Sequence, residues 1–487
     1  MNKDINLKQI FLDASKEANA IGTNFVVANK EGILESYSYG LADIESNAQS
    51  NEDTIYRIAS ISKTVGAIGL MQLVEKGIID LDEDISTYLG YPVRNPNYPD
   101  DVITVRMITL QTSSIQDGYD DENPAYDNII KGYNGVNGRS IAVSLKDLLT
   151  NPECEYYTPY TFGNYKPGSR WCYSNFGCGI MACIIEKASG ETYVEYMENH
   201  VFKPLGIDAS FKAARITNQD RIATMYSLRQ SGLKNWSKEW FTSGGYKFYP
   251  LGENFRGPAG GLFISMKSLS KIMRVFLNYG TVDGVKILNR ETVEQMYQMQ
   301  WCGCPLDTYR AKGIQMKIQF ENGLIPVRGH TGSAYGVRSF MFFNIKEDIG
   351  ACFITNGING PDEDAARRNM FITLQKAFVS KYASVNERKF IEFKEDCINL
   401  EERKIIDKNM YLLDNKFIKI TNFFDALDIV PTFKEDEYTV LFNYLGKDYK
   451  LDDSIYYHND LYISLTKTLD LLNIKYTINN KDVIIKK

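Results

Sequence analysis

The sequence predicts a mixed α/β (α+β) chain folded in at least two domains. Three observations carry this. At 487 residues the chain is too long for one ordinary core. Helical and extended apolar patterns interleave over residues 5–380. Near residue 385 the composition changes: Lys, Asp, Asn and Ile take over and the Gly-rich loops stop. The expected division is 1–384 and 385–487.

Residues 5–20 alternate apolar and polar side chains at helical spacing. Extended runs follow at 23–28 and 34–39, with 30–32 as the turn between them. Over 60–76 the pattern is helical again. Ile61, Val65, Ile68, Leu70, Met71, Leu73 and Val74 make a broad apolar face, and Gly77 stands where helices end. Residues 117–170 are rich in Asp, Asn, Gly and Tyr and show little periodicity, which reads as a long surface excursion, a lid or cleft wall. Helical patterns return at 176–189, 191–201 and 267–279. Runs at 338–344 and 351–355, joined by a short charged turn, read as neighbouring strands.

The tail contains an internal repeat with an offset of 45 residues. Phe417-Ile418 answers Tyr462-Ile463, and Thr421, Asp425, Leu427, Ile429 and Thr432 answer Thr466, Asp470, Leu472, Ile474 and Thr477. Each copy reads as a short strand, a helix and a two-stranded hairpin, too little to bury a core alone, so the copies are expected to pack together. The tail resembles the small repeat domain called copper amine oxidase N-domain-like, common in surface proteins of Gram-positive bacteria. It holds no cluster of Cys or His, so copper is not implied.

Hydrophobic residues make up 44% and charged residues 24%, an ordinary globular balance. Net charge is -6 and no basic stripe stands out, which argues against a nucleic-acid partner. No run is long enough to span a bilayer, and the first twenty residues lack the apolar core of a signal peptide. The chain as written is therefore expected in the cytoplasm; a removed signal would place it outside or on the cell surface. Eight cysteines occur, at 154, 172, 178, 183, 302, 304, 352 and 397. Cys302 and Cys304 form CxC without a second pair at zinc spacing, and the three His (200, 330, 458) lie far apart. Reduced, mostly buried thiols are expected, and no metal or cofactor.

The residues with chemistry begin at Ser60-Ile61-Ser62-Lys63. A Ser and a Lys three apart on a helix share a face. An ammonium there eases deprotonation of the hydroxyl, and a neutral amine can accept its proton. The motif alone is weak, since Ser-x-x-Lys recurs at 231, 268 and 464. Context sets Ser60 apart: Tyr56-Arg57-Ile58-Ala59 precedes it and a strongly apolar helix follows.

YRIASISK…LVEKGIIDLDEDISTYL resembles the segment found in class C β-lactamases, D-stereospecific peptidases and related esterases. Two further elements of that penicillin-recognising superfamily follow in order. Tyr173-Ser174-Asn175 lies in PGSRWCYSNFGCGIMACIIEKASG, whereas Tyr126-Asp127-Asn128 reads as chance. Arg328-Gly329-His330-Thr331-Gly332-Ser333 matches the His-Thr-Gly form of the third element. The resemblance covers about residues 5–380. It implies a β-lactamase/transpeptidase-like fold: an antiparallel sheet in two or three layers, an inserted helical subdomain, and the site between them.

The resemblance also implies roles. Ser60 would attack a carbonyl and become acylated. Lys63 and Tyr173 would share the proton work, Tyr173 aided by nearby cations, Lys63 first. Asn175 would hold Lys63 and the substrate amide. The N–H groups of Ser60 and Ser333 would form the oxyanion hole, beside Thr331 and Gly332. His330 would orient Tyr173 or meet an acid group of the substrate. Ser62 reads as a packing neighbour, and His200 and His458 as surface or packing residues. Asp117, Asp120, Asp121 and Glu122 read as a solvated acidic loop, with contact to a substrate amine as the alternative.

Two departures stand out. Many relatives carry His-Thr-Ser-Gly-Leu where this chain has Gln111-Thr112-Ser113-Ser114-Ile115, a change expected to act on cleft shape. His330 in place of Lys removes a permanent cation, which disfavours a penicillin carboxylate or free peptide C-terminus as the main ligand. The expected partner is a small peptide, amide or ester: a D-residue peptide first, then a carboxylic ester or, weakly, a β-lactam. A rival of another class is a penicillin-binding sensor or scaffold that acylates with little turnover.

Overall fold

The computed structural model describes residues 4–117, 119–120, 123–124, 143–229, 232–243, 249–303, 311–319, 326–359, 363–382, 388–407, 410–412, 416–429, 431–433, 439–451, 454–457, 460–479 and 482–486. The Tyr126–Asn128 match, Asp121, Glu122, Cys304 and His458 lie outside the described residues.

A nine-stranded antiparallel sheet organises the chain up to residue 355. Its central strands are Val327–Ala334, Val337–Asn344, Ile349–Thr355 and Gly22–Ala28, followed by Ile33–Asp43 towards one edge. Towards the other edge lie Met316–Gln319, Ala311–Gly313 and Trp301–Cys302. The expected hairpin is present, with Phe25 opposite Tyr37. The central strands are apolar on both sides because both faces are covered. Phe25, Val27, Phe340 and Phe342 pack with Phe11 and Leu374 from helices Leu7–Glu17 and Glu363–Tyr382. Their sequence neighbours Val26, Met341 and Phe343 join the opposite core, which holds the helices Ser62–Glu75, Asn175–Ser189 and Met266–Leu277. Side chains alternate across a strand, so one strand feeds two cores.

Helix Ser62–Glu75 is buried from Ser62 through Leu73, all the way round, and not on one face as its pattern implied. Gly77 takes φ +67° just past its end, the left-handed step that glycine makes at little cost. Of the expected surface excursion over 117–170, residues 118, 121–122 and 125–142 lie outside the described residues. Helix Leu145–Thr150 lies within it and buries Leu145, Leu148 and Leu149.

Past residue 388 a strand leading into a helix occurs twice among the described residues. Strand Phe417–Lys419 leads into helix Ile420–Ala426, and strand Asp460–Ser464 into helix Leu465–Leu471. The two strands pair with each other, Ile418 opposite Ile463. Their shared core takes in Phe423, Phe424 and Leu469, and reaches Met299 and Ile318 of the large sheet's edge. Asp425, on the first repeat helix, accepts a hydrogen bond from Arg328 on the central strand Val327–Ala334.

Candidate active site

Strand Ile55–Arg57 pairs with Phe263–Ser265 and is followed by an abrupt turn. Ala59 sits at φ +53°, a left-handed conformation that costs a non-glycine residue about 1 kcal/mol or more. One 3-10 turn, Ala59–Ile61, then leads into the buried helix. Ser60 is thus held half-buried at the mouth of the helix, with Lys63 one turn on and 0% exposed. The strain is offset by contacts that pin the turn. The Ser62 hydroxyl donates to Ala59 O at 2.6 Å and accepts from Leu262 N at 3.1 Å. Ser62 is therefore a packing neighbour of the site, as expected.

Lys63 Nζ lies 2.8 Å from Asn175 Oδ1, 2.7 Å from Ala259 O and 3.2 Å from Ser60 Oγ. Tyr173 donates its phenol proton to Ser60 Oγ at 2.7 Å. The Ser60 hydroxyl thus stands between an amine and a phenol, an arrangement that can take up and return its proton.

The loop acid Asp117 orients this cluster. The expectation of a solvated acidic loop is wrong for this residue, which is 1% exposed. It accepts from Asn175 N at 2.8 Å and Phe176 N at 2.9 Å, two of the unpaired N–H groups that begin helix Asn175–Ser189. Ser174 caps a third by accepting from Gly177 N at 2.8 Å. Asp117 also accepts from Asn175 Nδ2 at 2.7 Å. A carboxylate only accepts, so Asn175 must turn its Nδ2 to Asp117 and its oxygen to Lys63.

The turn Gln111–Ile115 shapes the same wall. Gln111 and Ser114 take φ +61° and +65°, the left-handed backbone that glycine adopts at least cost. Gln111 O accepts from Cys172 N at 2.9 Å and Thr112 O from Gly168 N at 2.7 Å, which fixes the approach to Tyr173.

The third element lies on strand Val327–Ala334, beside the Ala59–Ile61 turn. Ser339 donates to Ile58 O at 3.0 Å. A Cβ on Gly332 would collide with Ser339 Oγ and Ile58 O, so only glycine lets the strand approach this closely. Ser333 is exposed. His330 is buried, its Nδ1 is 2.5 Å from Thr331 O, and its ring packs against Tyr173 with centroids 6.3 Å apart. Burial, reinforced by the charges of Lys317 and Lys63, holds His330 well below the usual histidine range, so the imidazole is neutral at pH 7. Its bond to a carbonyl oxygen puts the proton on Nδ1.

Two lysines nonetheless stand near His330. Lys317, on the neighbouring strand and opposite Gly329, brings its Nζ to 3.4 Å from Thr331 Oγ1 and 5.4 Å from the Tyr173 ring centre. Lys312 stands 4.0 Å above Trp171. Sequence reasoning named Asp117 only as a loop acid and missed Lys312 and Lys317. None belongs to a motif, and only the pairing of distant segments brings them to Ser60. Ser60, Lys63, Tyr173, Asn175, His330, Thr331, Gly332 and Ser333 do come together. His200 lies apart, 2.7 Å from Glu191 at the surface.

Seven described cysteines are free thiols, with Cys178, Cys183 and Cys352 buried. No helix among the described residues is long and apolar enough to cross a membrane.

A family model described as Beta-lactamase matches residues 7–375. Esterase EstB of Burkholderia gladioli is 28% identical over 229 residues, 45% of this chain and 54% of the esterase. The chain spans about half the length of the curated relatives it matches. The octameric penicillin-binding protein homologue from Pyrococcus abyssi superimposes with TM-score 0.60 at 19% identity, covering 95% of this chain and 100% of that one. D-amino acid amidase from Ochrobactrum anthropi SV3 superimposes with TM-score 0.56 at 19% identity, covering 78% of this chain and 99% of that one.

Proposed function

Because the chain belongs to the Beta-lactamase family, we propose that it is a serine hydrolase that cleaves amide or ester bonds through an acyl-enzyme on Ser60. The observation that carries this is the placement of Ser60 Oγ, 2.7 Å from the Tyr173 phenol and 3.2 Å from Lys63 Nζ. Ser60 Oγ attacks the carbonyl carbon and its proton leaves toward the Tyr173–Lys63 pair. The bond to the leaving nitrogen or oxygen breaks, and the pair returns the proton to that atom. Water then attacks the ester on Ser60, gives its proton to the same pair, and the acid departs as Ser60 recovers its hydrogen. The Ser60 and Ser333 N–H groups are the donors assigned to the developing oxyanion, each worth about 3 kcal/mol in such sites.

The preferred substrate in this reading is a peptide or amide containing a D-residue, with small esters next. Support comes from His330, a neutral imidazole where many penicillin-recognising relatives carry lysine, and from the amidase and esterase named among the proteins of similar fold or sequence. The same reading takes 385–487 as a second, smaller domain; the apolar core around Phe423 and Leu469 supports it.

The test is side-by-side turnover of a chromogenic D-alanine anilide, a short-chain nitrophenyl ester and a chromogenic cephalosporin by wild type and Ser60→Ala. Turnover that vanishes in Ser60→Ala is expected, with the anilide preferred. Activity that survives Ser60→Ala would remove Ser60 as nucleophile. A lasting acyl mass on Ser60 without turnover would replace the hydrolase by a sensor.

A further inference from the structure

A buried carboxylate stands near each end of helix Asn175–Ser189: Asp117 at its start and Glu186, 0% exposed, about three turns on. Asp117 holds Asn175, whereas Glu186 touches none of the residues around Ser60. It ties three segments together instead. Its Oε1 accepts from Tyr193 N at 2.9 Å, where the next helix, Tyr193–Met197, begins. Its Oε2 accepts from Gly252 N at 2.7 Å and from Asn254 Nδ2 at 3.1 Å. The segment that carries these two donors lies tight against the helix. Gly252 takes φ +89°, and a Cβ there would run into the Lys187 side chain. A Cβ on Gly179 would collide with Phe255 O, and Phe255 packs edge-on against Phe176 with ring centroids 5.7 Å apart.

This segment leads to the amine beside Ser60. Past Phe255 the chain turns tightly, with Gly260 N and Gly261 N both donating to Gly257 O, at 3.0 and 2.7 Å. The turn presents Ala259 O to Lys63 Nζ at 2.7 Å. Downstream, Leu262 is bonded to Ser62 Oγ and to Ile58 N. Upstream, the hold comes from Glu186 on Gly252 and Asn254, and from Glu253, which accepts from Leu145 N at 2.7 Å. A protonated lysine has three N–H bonds to place. Asn175 Oδ1 and Ala259 O take two from Lys63, which leaves the third for Ser60 Oγ. Two oxygens therefore aim the amine. One is set by Asp117 through Asn175, the other by the segment that Glu186 anchors.

We infer that Glu186 is a positioning residue: by anchoring Gly252 and Asn254 it sets Ala259 O and so the place of the Lys63 amine and, resting on the hydrolase reading, the rate at which Ser60 is acylated. A carboxylate that only braced the fold would change how much protein is folded. It would not change how fast each folded molecule is acylated.

The experiment follows single-turnover acylation of Ser60 by a short-chain nitrophenyl ester, read by intact mass. Full-length wild type, Glu186→Gln, Asn254→Ala and the double variant are compared at a temperature where circular dichroism shows each one folded. Glu186→Gln replaces one accepting oxygen by an N–H donor, and Asn254→Ala removes one arm on the loop side only. The saturating acylation rate constant should fall about ten- to a hundredfold in Glu186→Gln and about three- to tenfold in Asn254→Ala. The half-saturating ester concentration should change little in either. The double variant should lose no more than Glu186→Gln alone, because both changes act through one segment. Wild-type rate constants in folded variants, or losses that multiply in the double variant, overturn the positioning role and leave the hydrolase reading intact. A wild type that the ester does not acylate removes the hydrolase reading, and the crystal structure of Glu186→Gln then decides the placement. Ala259 O drawn out of hydrogen-bond reach of Lys63 supports the role, and a retained contact near 2.7 Å overturns it. Should Glu186→Gln fail to fold, the rate and crystal structure of Asn254→Ala decide in its place.

Discussion

Arg328 and Thr331 stand three residues apart on one strand, yet they belong to opposite kinds of charged cluster. Around Thr331, the side chains of Lys317, His330, Tyr173 and Lys63 gather beside a hydroxyl that remains half-exposed, Ser60. Around Arg328 everything is closed. Its guanidinium is stacked 3.9 Å from the Tyr297 ring centre, donates to Tyr297 O at 2.7 Å and meets Asp425. Asp425 also accepts from Arg403 at 2.7 Å and Met299 N at 3.1 Å, and is 0% exposed. Burial pushes its carboxyl up, but the Arg403 and Arg328 guanidiniums outweigh burial and hold it below the usual aspartate range. Buried charge alone therefore does not mark an active site. What separates the two clusters is a reactive atom open to the cleft in the first, and an acid wrapped by donors in the second.

The largest expected effect breaks the first cluster. Ser60→Ala should lower kcat by about 10⁴-fold or more, and Tyr173→Phe or Lys63→Met by about 10²- to 10⁴-fold. Single-turnover acylation measured by intact mass checks this. The folded state should survive all three changes, as circular dichroism would report.

The second cluster should respond in the opposite way, through stability. Asp425→Leu takes the shared acid from the buried Arg328 and Arg403 and should cost about 3–5 kcal/mol in urea unfolding, whereas Arg328→Met leaves Asp425 its bond from Arg403 and should cost less. The double variant Arg328→Met with Asp425→Leu should recover a good part of that loss, because apolar pairs often match buried ion pairs. Arg403 keeps some charge in the cluster, so recovery should be incomplete. Additive losses in the double variant would mean that the two residues act independently.

Asp117 lies between the two kinds, since it is wrapped by donors like Asp425 but one of them is a site residue. Asp117→Asn can present an N–H to Asn175 and lets that amide turn. We expect kcat to fall about 10²-fold with KM little changed, as for other residues that orient catalytic groups, and stability to fall about 1 kcal/mol through the weakened helix start. A loss confined to stability would make Asp117 a cap and nothing more.

The contrast also explains what could be read from the sequence. Ser60, Lys63, Tyr173, Asn175 and the His330–Ser333 run were legible because each sits in a short motif with its flanking apolar segment. Helix Ser62–Glu75 and the paired strands were legible from their apolar runs and the turns that bound them. Asp117 was not, since its partners lie 58 and 59 residues away and its neighbours in sequence include other acids. Lys317 sits on a four-residue strand with no motif, and it matters only because register sets it opposite Gly329. The repeat singled out Asp425 and Asp470 as equivalents, but their fates differ. Asp425 is sealed against Arg328, while Asp470 is exposed. An internal repeat shows which positions recur, and docking decides which of them carry charge into the interior.

The smallest effect tests the neutral state of His330. Burial and the lysine charges hold its folded pKa below the unfolded value of about 6.5. In acid the unfolded chain therefore binds a proton that the folded chain refuses. Stability is intact above about pH 6.5 and declines as pH falls, by up to about 1.4 kcal/mol per pH unit from this residue. His330→Gln removes the titrating ring. The difference in urea unfolding free energy between wild type and His330→Gln should thus change by about 1–2 kcal/mol between about pH 7 and 5, wild type losing more. A difference that stays constant with pH would mean that His330 takes its proton in the folded state.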